Sequence, residues 1–290
     1  MFYQIFSKKI KNQSIDTSKF PDFDTEFIFS KLKKYREEVN HEFNSFNISS
    51  YDIRVKGVRD ISHFPLGFCD VIRDRVYDKA QEEGLVQELE QRGIVFKKVF
   101  GILNDSCFHN MFQIGNYIVD ISRDSIEEFN DFFVATSIKN SKYKNIESYE
   151  KMFEIMEKYW KVEIYPNTLF PEISYYFPYF LKYLDGEIHF KTTHCSIPLF
   201  NEMQSDFNWT HSFLKKSICF KYDEKTSNNF ERLNRKYSYL FMKKSDDEAL
   251  EDYYRRFLQS RISSGKENFD AQMMEKIMHL LNSFNRDLNK

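Results

Sequence analysis

Residues 109–122 read HNMFQIGNYIVDIS, and this stretch decides the fold of the first half of the chain. A Gly-Asn pair at 115–116 stands between two runs in which apolar residues alternate with others. Such a pattern is typical of a β-hairpin closed by a two-residue turn. With this turn at the tip, Ile114 pairs with Tyr117 and the register of the whole hairpin follows.

The same register predicts a pair of chemical groups on one face of the hairpin. Met111 falls opposite Asp120, and side chains alternate along a strand, so His109 shares the face of Asp120. The two residues become diagonal neighbours, roughly 7–8 Å apart at the backbone, which an imidazole and a carboxylate can span. An aspartate that binds one ring nitrogen of a histidine orients the ring and leaves the other nitrogen as a base.

The rest of the chain is predicted to be mixed. Residues 24–44 place apolar side chains at steps of three and four, which indicates an amphipathic helix with Asp24 as its N-cap. The other predicted elements are a strand at 51–58, a helix at 69–83, a short helix at 85–93, a strand at 94–103, helices at 125–138 and 145–162, and two helices in the last 45 residues. No element is assigned between residues 164 and 222.

These elements define a fold class and a division of the chain. Helices and a small antiparallel sheet in one region indicate an α+β architecture. The polar stretch at 137–145 is the best boundary, which gives a catalytic region at residues 1–140 and a mainly helical region at 141–290 for substrate or partner binding. The oligomeric state has no sequence signal.

Composition excludes several classes of protein. The chain has 290 residues, 41% hydrophobic residues and a formal net charge of −2, so it can build a core and carries no basic surface for nucleic acid. It has no apolar run long enough for a signal peptide or a membrane span. Its 4 cysteines are scattered, which favours a reducing, cytoplasmic setting, although export into another cell by an unmarked route stays open.

Cys69 is the candidate nucleophile for the His109–Asp120 pair. It follows the turn Pro65-Leu66-Gly67-Phe68 and opens the helix at 69–83. The positive end of a helix dipole and a nearby imidazolium both lower the pKa of a thiol. A thiolate–imidazolium pair near neutral pH is therefore expected.

On these residues the chain resembles the papain-like cysteine protease superfamily, and most of all its transglutaminase-like branch of bacterial protease and deamidase effectors. The resemblance covers roughly residues 60–125 and rests on GFCDVIRD at a helix start and on the hairpin HNMFQIGNYIVDIS. It implies that Cys69 is the nucleophile, His109 the general base and acid, and Asp120 the orienting residue. The family's upstream oxyanion donor, typically glutamine, falls on His63, and the backbone N–H of Cys69 is the other natural donor.

The function expected from this resemblance is thiol-dependent amide hydrolysis or acyl transfer on a protein substrate through a thioester. A protease, a glutamine deamidase and a transglutaminase share one triad, so residues 60–125 do not choose among them, and the protease is only slightly favoured. The alternative is a non-catalytic interaction protein in which the triad is coincidental or degenerate and the aromatic-rich second half binds a partner.

Other motifs carry less weight. No GxxxxGK[ST] or GxGxxG motif is present, so neither a nucleotide nor another cofactor is expected. The spacing Cys107-Phe108-His109 does not supply the paired ligands of a structural zinc site, and no metal is expected. His194-Cys195 is a competing dyad, but no His–Asp hairpin follows it.

Overall fold

The structure, a computed structural model, describes residues 13–45, 63–167, 178–189, 208–217, 220–237, 283 and 285–287. The strand predicted at 51–58 and the dyad His194-Cys195 lie outside the described residues, as do the last two predicted helices apart from helical residues 283 and 285–287. The chain divides into two compact units, of which the first is Gln13–Asn145 and the second begins, in its described part, at Ile146.

Five antiparallel strands form the sheet of the first unit. They are β1 (Phe96–Leu103), β2 (Cys107–Ile114), β3 (Tyr117–Asp120), β4 (Val134–Ser137) and β5 (Tyr143–Lys144). Their order in the sheet is β4-β3-β2-β1-β5. The central strand β2 is buried along its whole length, because apolar side chains pack on both faces of the sheet.

The register predicted for the β2–β3 hairpin is confirmed. Ile114 pairs with Tyr117, and Phe112 pairs with Val119, around the tip at Gly115 and Asn116. Gly115 has φ +51°, a conformation that suits glycine at the first position of such a turn.

Three helices cover one face of this sheet: α1 (Thr25–Ser45), α2 (Cys69–Glu82) and α3 (Leu85–Gln91). The predicted N-cap of α1 is confirmed, since Asp24 Oδ1 accepts a hydrogen bond of 3.0 Å from the Phe27 N–H. The predicted apolar stripe of α1 is buried in the core and consists of Ile28, Leu32, Tyr35, Val39 and Phe43. Cys69 is the first residue of α2, a helix whose buried side chains pack in the same core.

The helix predicted at 125–138 is wrong. The chain instead forms a short 3₁₀ turn at Arg123–Ser125 and then the strand β4, which pairs Val134 with Asp120 along β3. The segment Phe-Val-Ala-Thr-Ser contains β-branched residues that suit a strand, and the open edge of β3 offers the backbone a full set of partners. Pairing in the tertiary structure outweighs the local helical pattern.

The described part of the second unit contains both helices and strands. Its helices are α4 (Tyr149–Trp160), α5 (Asn208–Lys216) and α6 (Glu224–Tyr237), and its antiparallel sheet is formed by β6 (Glu163–Pro166), β7 (Tyr179–Lys182) and β8 (Ile188–His189) in that order. The helix predicted at 145–162 is confirmed as α4. The mixture of helices and strands in both units confirms the α+β class.

Gly101 of β1 lies close against β5, and this contact gives a prediction for stability. A Cβ at this position would lie 2.3 Å from the carbonyl oxygen of Lys144 and 2.9 Å from Cζ of Tyr143. Gly101→Ala is therefore expected to lower the free energy of unfolding by about 1–3 kcal/mol, as overpacking does elsewhere. Urea unfolding followed by circular dichroism measures it, and an unchanged midpoint would contradict the crowding.

Candidate active site

The hairpin brings His109 and Asp120 into direct contact. His109 Nε2 lies 2.9 Å from Asp120 Oδ1, and both side chains are buried, with 0% and 5% of their surfaces exposed. The same carboxylate oxygen accepts a bond of 3.0 Å from the backbone N–H of Ser122. A carboxylate with two donors on one oxygen is fixed in place, so it also fixes the orientation of the imidazole.

The second ring nitrogen of His109, Nδ1, has a different environment from Nε2. Nδ1 is buried and makes no hydrogen bond of full geometry with the described residues. Burial lowers the pKa of His109, but the charge and hydrogen bond of Asp120, together with Cys69, raise that pKa by more, to about 10. The ring is therefore an imidazolium near neutral pH when the thiol beside it is ionised.

Cys69 is the first residue of α2 and is partly exposed. Burial raises the pKa of its thiol, but interactions with His109 and Asn110 lower it, and the resulting pKa lies below the ordinary value. The N-cap residue Phe68 makes no side-chain cap hydrogen bond, and the charge of Asp70 in the first turn raises the pKa of the thiol by less than His109 and Asn110 together lower it. The thiol has the setting of a reactive cysteine.

Asn110, the next residue after His109, also contacts the Cys69 thiol. Asn110 Nδ2 donates to Cys69 Sγ over 3.3 Å, and the Asn110 carbonyl accepts from Ser122 Oγ over 3.2 Å. Sequence reasoning missed Asn110, although a signal was present. It is a polar residue in the alternating set that includes Phe112 and Ile114, where an apolar side chain is expected.

Two buried arginines hold the elements that carry the site. Arg73, one turn after Cys69 on α2, donates to the Val99 carbonyl of β1 over 3.2 Å. Arg36 of α1 donates to the Ile121 carbonyl over 2.8 Å and forms a bidentate pair with Asp124. These contacts fix the helix that begins at Cys69 and the loop that follows Asp120 against the same sheet.

The loop that follows Asp120 also supports the turn before Cys69. The N–H of Gly67 donates to the Ser125 carbonyl over 2.9 Å. One short segment therefore contacts both sides of the candidate site, because Ser122 binds Asp120 and Ser125 binds the turn before Cys69. A disturbance of this segment is expected to reach both Cys69 and Asp120.

The remaining residues predicted for the site have different placements. His63 lies in the turn before α2 with its side chain exposed, and no hydrogen bond joins it to Cys69 among the described residues. The oxyanion role of His63 stays a prediction. Cys107 is a buried thiol, and burial raises its pKa. The two thiols of the first unit therefore differ in the direction of their pKa shifts.

Two features are absent from the described ranges. No group of three or more His, Cys, Asp and Glu side chains there is arranged to hold a metal ion. In that same part of the chain, no helix has both the length and the apolar character that crossing a membrane requires.

Comparisons with known proteins add no relative. Neither the models of known protein families, nor the curated proteins, nor the solved structures include a match to this chain.

Asn110 gives a prediction for the reactivity of the site. Asn110→Ala removes the side-chain donor to the thiolate, so the alkylation of Cys69 at pH 7 is expected to slow by about three- to tenfold, the loss of one hydrogen bond to a charged group. Asn110→Asp is the isosteric comparison, and its added negative charge is expected to slow the reaction further. Rates equal to wild type in both variants would show that the 3.3 Å contact has no effect on the thiolate.

Proposed function

We propose that the first unit is a cysteine-dependent hydrolase or acyltransferase that acts on an amide of a protein substrate, with a papain-like, transglutaminase-like catalytic core. One observation carries the proposal. His109 is held by Asp120 at Nε2 and its Nδ1 has no hydrogen-bond partner of full geometry among the described residues, while the adjacent Asn110 contacts the Cys69 thiol, whose pKa the charge of His109 lowers. A buried structural His–Asp pair does not require a partly exposed thiol of lowered pKa at a helix start.

The mechanism uses these three residues in order. The Cys69 thiolate attacks the carbonyl carbon of the amide, and the developing oxyanion lies near the backbone N–H of Cys69, which has no acceptor within the helix. The imidazolium of His109 gives its proton to the leaving nitrogen, the C–N bond breaks and a thioester remains.

The second half of the reaction restores the enzyme. His109, now neutral, takes a proton from water or from an acceptor amine, which attacks the thioester. The acid or the new amide leaves, and Cys69 returns to the thiolate beside the imidazolium. Asp120 stays ionised throughout and stabilises the imidazolium. The thiolate requires reducing conditions, so the proposal places the enzyme in a reducing compartment such as the cytoplasm.

The three candidate reactions differ in the group that leaves the substrate. Cleavage of a backbone amide creates a new N-terminus, while deamidation of glutamine releases ammonia, and transfer to an amine joins two molecules. We favour the protease slightly. Incubation with a denatured protein such as casein, with mass spectrometry for new termini and an assay for ammonia, separates these outcomes, and Cys69→Ala is the inactive control.

Selective alkylation tests the proposed nucleophile directly. At pH 7, Cys69 is expected to react with iodoacetamide at least about tenfold faster than Cys107, because its thiolate fraction is higher and its side chain is partly exposed. Peptide mapping by mass spectrometry over a time course measures each thiol. Equal, slow labelling of the two thiols would sink the proposal of an activated thiolate.

A further inference from the structure

A cavity of about 310 Å³ lies in the first unit, beside β2, β3 and β4. Its size is at the lower end of that of small-molecule sites in proteins. Seven of its twelve lining residues are polar or charged, and the other five form its apolar wall: Leu103, Met111, Ile118, Phe129 and Val134. Cys69 and His109 do not line it, so it is distinct from the space in which the thiol reacts.

Two cations border the cavity. Arg123 and Lys142 line it, and neither side chain forms an ion pair with any residue that the structure describes. The guanidinium of Arg123 stacks 3.9 Å from the centre of the Phe129 ring, which holds the charge beside the apolar wall. Two cations without carboxylate partners at one cavity suit a ligand that carries a carboxylate.

Asp120, which lines the same cavity, has one carboxylate oxygen without a donor among the described residues. Asp120 lines the cavity, and its Oδ1 already accepts from His109 and from the backbone of Ser122. Its Oδ2 is buried and has no hydrogen-bond partner among the described residues. A buried acceptor without a donor is costly, so this oxygen suits a ligand that brings an N–H group.

We propose that this cavity binds a small zwitterion with an apolar body, of the class of free apolar α-amino acids. The carboxylate of the ligand pairs with Arg123 and Lys142, its ammonium donates to Asp120 Oδ2, and its hydrocarbon side chain packs on the apolar wall. The presence of Asp120 in the lining disfavours a phosphate dianion, and the apolar wall disfavours a purely polar ligand.

Isothermal titration of the full chain with L-leucine tests the proposal. Binding is expected in wild type and in Cys69→Ala alike, so the result does not depend on the proposed enzyme activity. N-acetyl-L-leucine lacks the ammonium and L-leucinamide lacks the carboxylate, and each is expected to bind at least about tenfold more weakly, the effect of one lost charge-assisted hydrogen bond. No binding of L-leucine at millimolar concentration, or equal binding of all three compounds, would overturn the proposal.

Variants of the two cations locate the site. Arg123→Gln and Lys142→Gln are each expected to weaken L-leucine binding by about tenfold. Lys139→Gln is the matched control, because Lys139 is an exposed cation on the same segment that does not line the cavity. Unchanged affinity in both cavity variants, or an equal loss in the control, would place the ligand elsewhere and overturn the proposal.

The shared residue Asp120 predicts a second readout, which rests on the proposed nucleophile. A bound ammonium would divide the charge of Asp120 between itself and His109, so saturating L-leucine is expected to slow the alkylation of Cys69 severalfold. Binding that leaves this rate unchanged would show that the ligand does not reach Asp120 and would overturn the placement of its ammonium.

Discussion

Replacing His109 by alanine is expected to slow the alkylation of Cys69 at pH 7 by about tenfold or more, and amide hydrolysis by at least about 10³-fold. An unpaired thiol with a pKa of about 8.5 is only a few per cent ionised at pH 7, whereas a thiol paired with an imidazolium is largely ionised. The lower intrinsic nucleophilicity of a low-pKa thiolate offsets part of this difference. Hydrolysis loses more, because the general acid and base disappears with the ring.

The pH profile of alkylation shows in which direction His109 shifts the pKa of the Cys69 thiol. The pKa of Cys69 is lowered in the folded protein, so the wild-type rate is expected to fall only when the pH drops below that lowered value. In His109→Ala, burial still raises the pKa of the thiol while the imidazolium that lowered it is gone. The midpoint therefore moves to higher pH. Rates measured between pH 5 and 10 show the shift, and coincident profiles would exclude a thiolate–imidazolium pair.

Asp120→Asn is the matched comparison for this variant. An asparagine oxygen can still accept from His109 Nε2 and from the Ser122 N–H, so the ring keeps its orientation. The charge that raises the pKa of His109 is lost, so both rates are expected to fall, but less than in His109→Ala. A larger loss in Asp120→Asn than in His109→Ala would contradict the assigned roles.

The hairpin was predictable because its geometry is local. The two-residue tip at Gly115-Asn116 and the period of two along each strand fix the register, and the register alone places His109 beside Asp120. The helix of Cys69 was predictable for a similar reason, since a turn precedes it and Gly84 ends it.

The contacts of Asn110 and of Arg36 were not predictable, because they join residues far apart in the chain. Asn110 meets Cys69 across 41 positions, and Arg36 meets Asp124 across 88. In the sequence Arg36 stands in a helix rich in charged residues, where a charged residue normally faces solvent. Local patterns contain no information on which of these charges is buried.

The failure of the helix at 125–138 has the same origin. Its residues carry an acceptable helical pattern, but β3 leaves an edge that β4 completes through Val134 and Thr136. The position of that edge depends on the whole sheet. The strand β4 also supplies Val134 and Thr136 to the lining of the cavity. The cavity could therefore not be predicted from a helix at 125–138.

Replacing Arg36 by methionine is expected to lower the free energy of unfolding of the first unit by about 3–5 kcal/mol. Arg36 is fully buried and donates to Asp124, to the Ile121 carbonyl and to Asn40 Oδ1. Methionine fills much of the volume but leaves the Asp124 carboxylate and the Ile121 carbonyl without their donor. The Asp124 side chain is only 18% exposed, so leaving its charge without a partner is more costly than the loss of an exposed ion pair.

Hydrogen exchange of the slowest amides in β2 measures this loss within the first unit of the full chain. Trp160 and Trp209, the 2 tryptophans of the protein, belong to the second unit, so their fluorescence reports unfolding there separately. Lys34→Met is the control, because the ion pair that Lys34 forms with Glu38 within the described ranges is exposed, so this variant is expected to change nothing measurable.

The double variant Arg36→Met/Asp124→Leu separates stability from positioning. It removes both charges, so much of the lost free energy of unfolding is expected to return. The loop that contains Ser122 and Ser125 still lacks the donor to Ile121, however, and this loop supports both Asp120 and the turn before Cys69. We therefore expect alkylation of Cys69 to stay slower than in wild type even after stability recovers. Full recovery of both would show that Arg36 acts only on stability and that the loop positions itself without it.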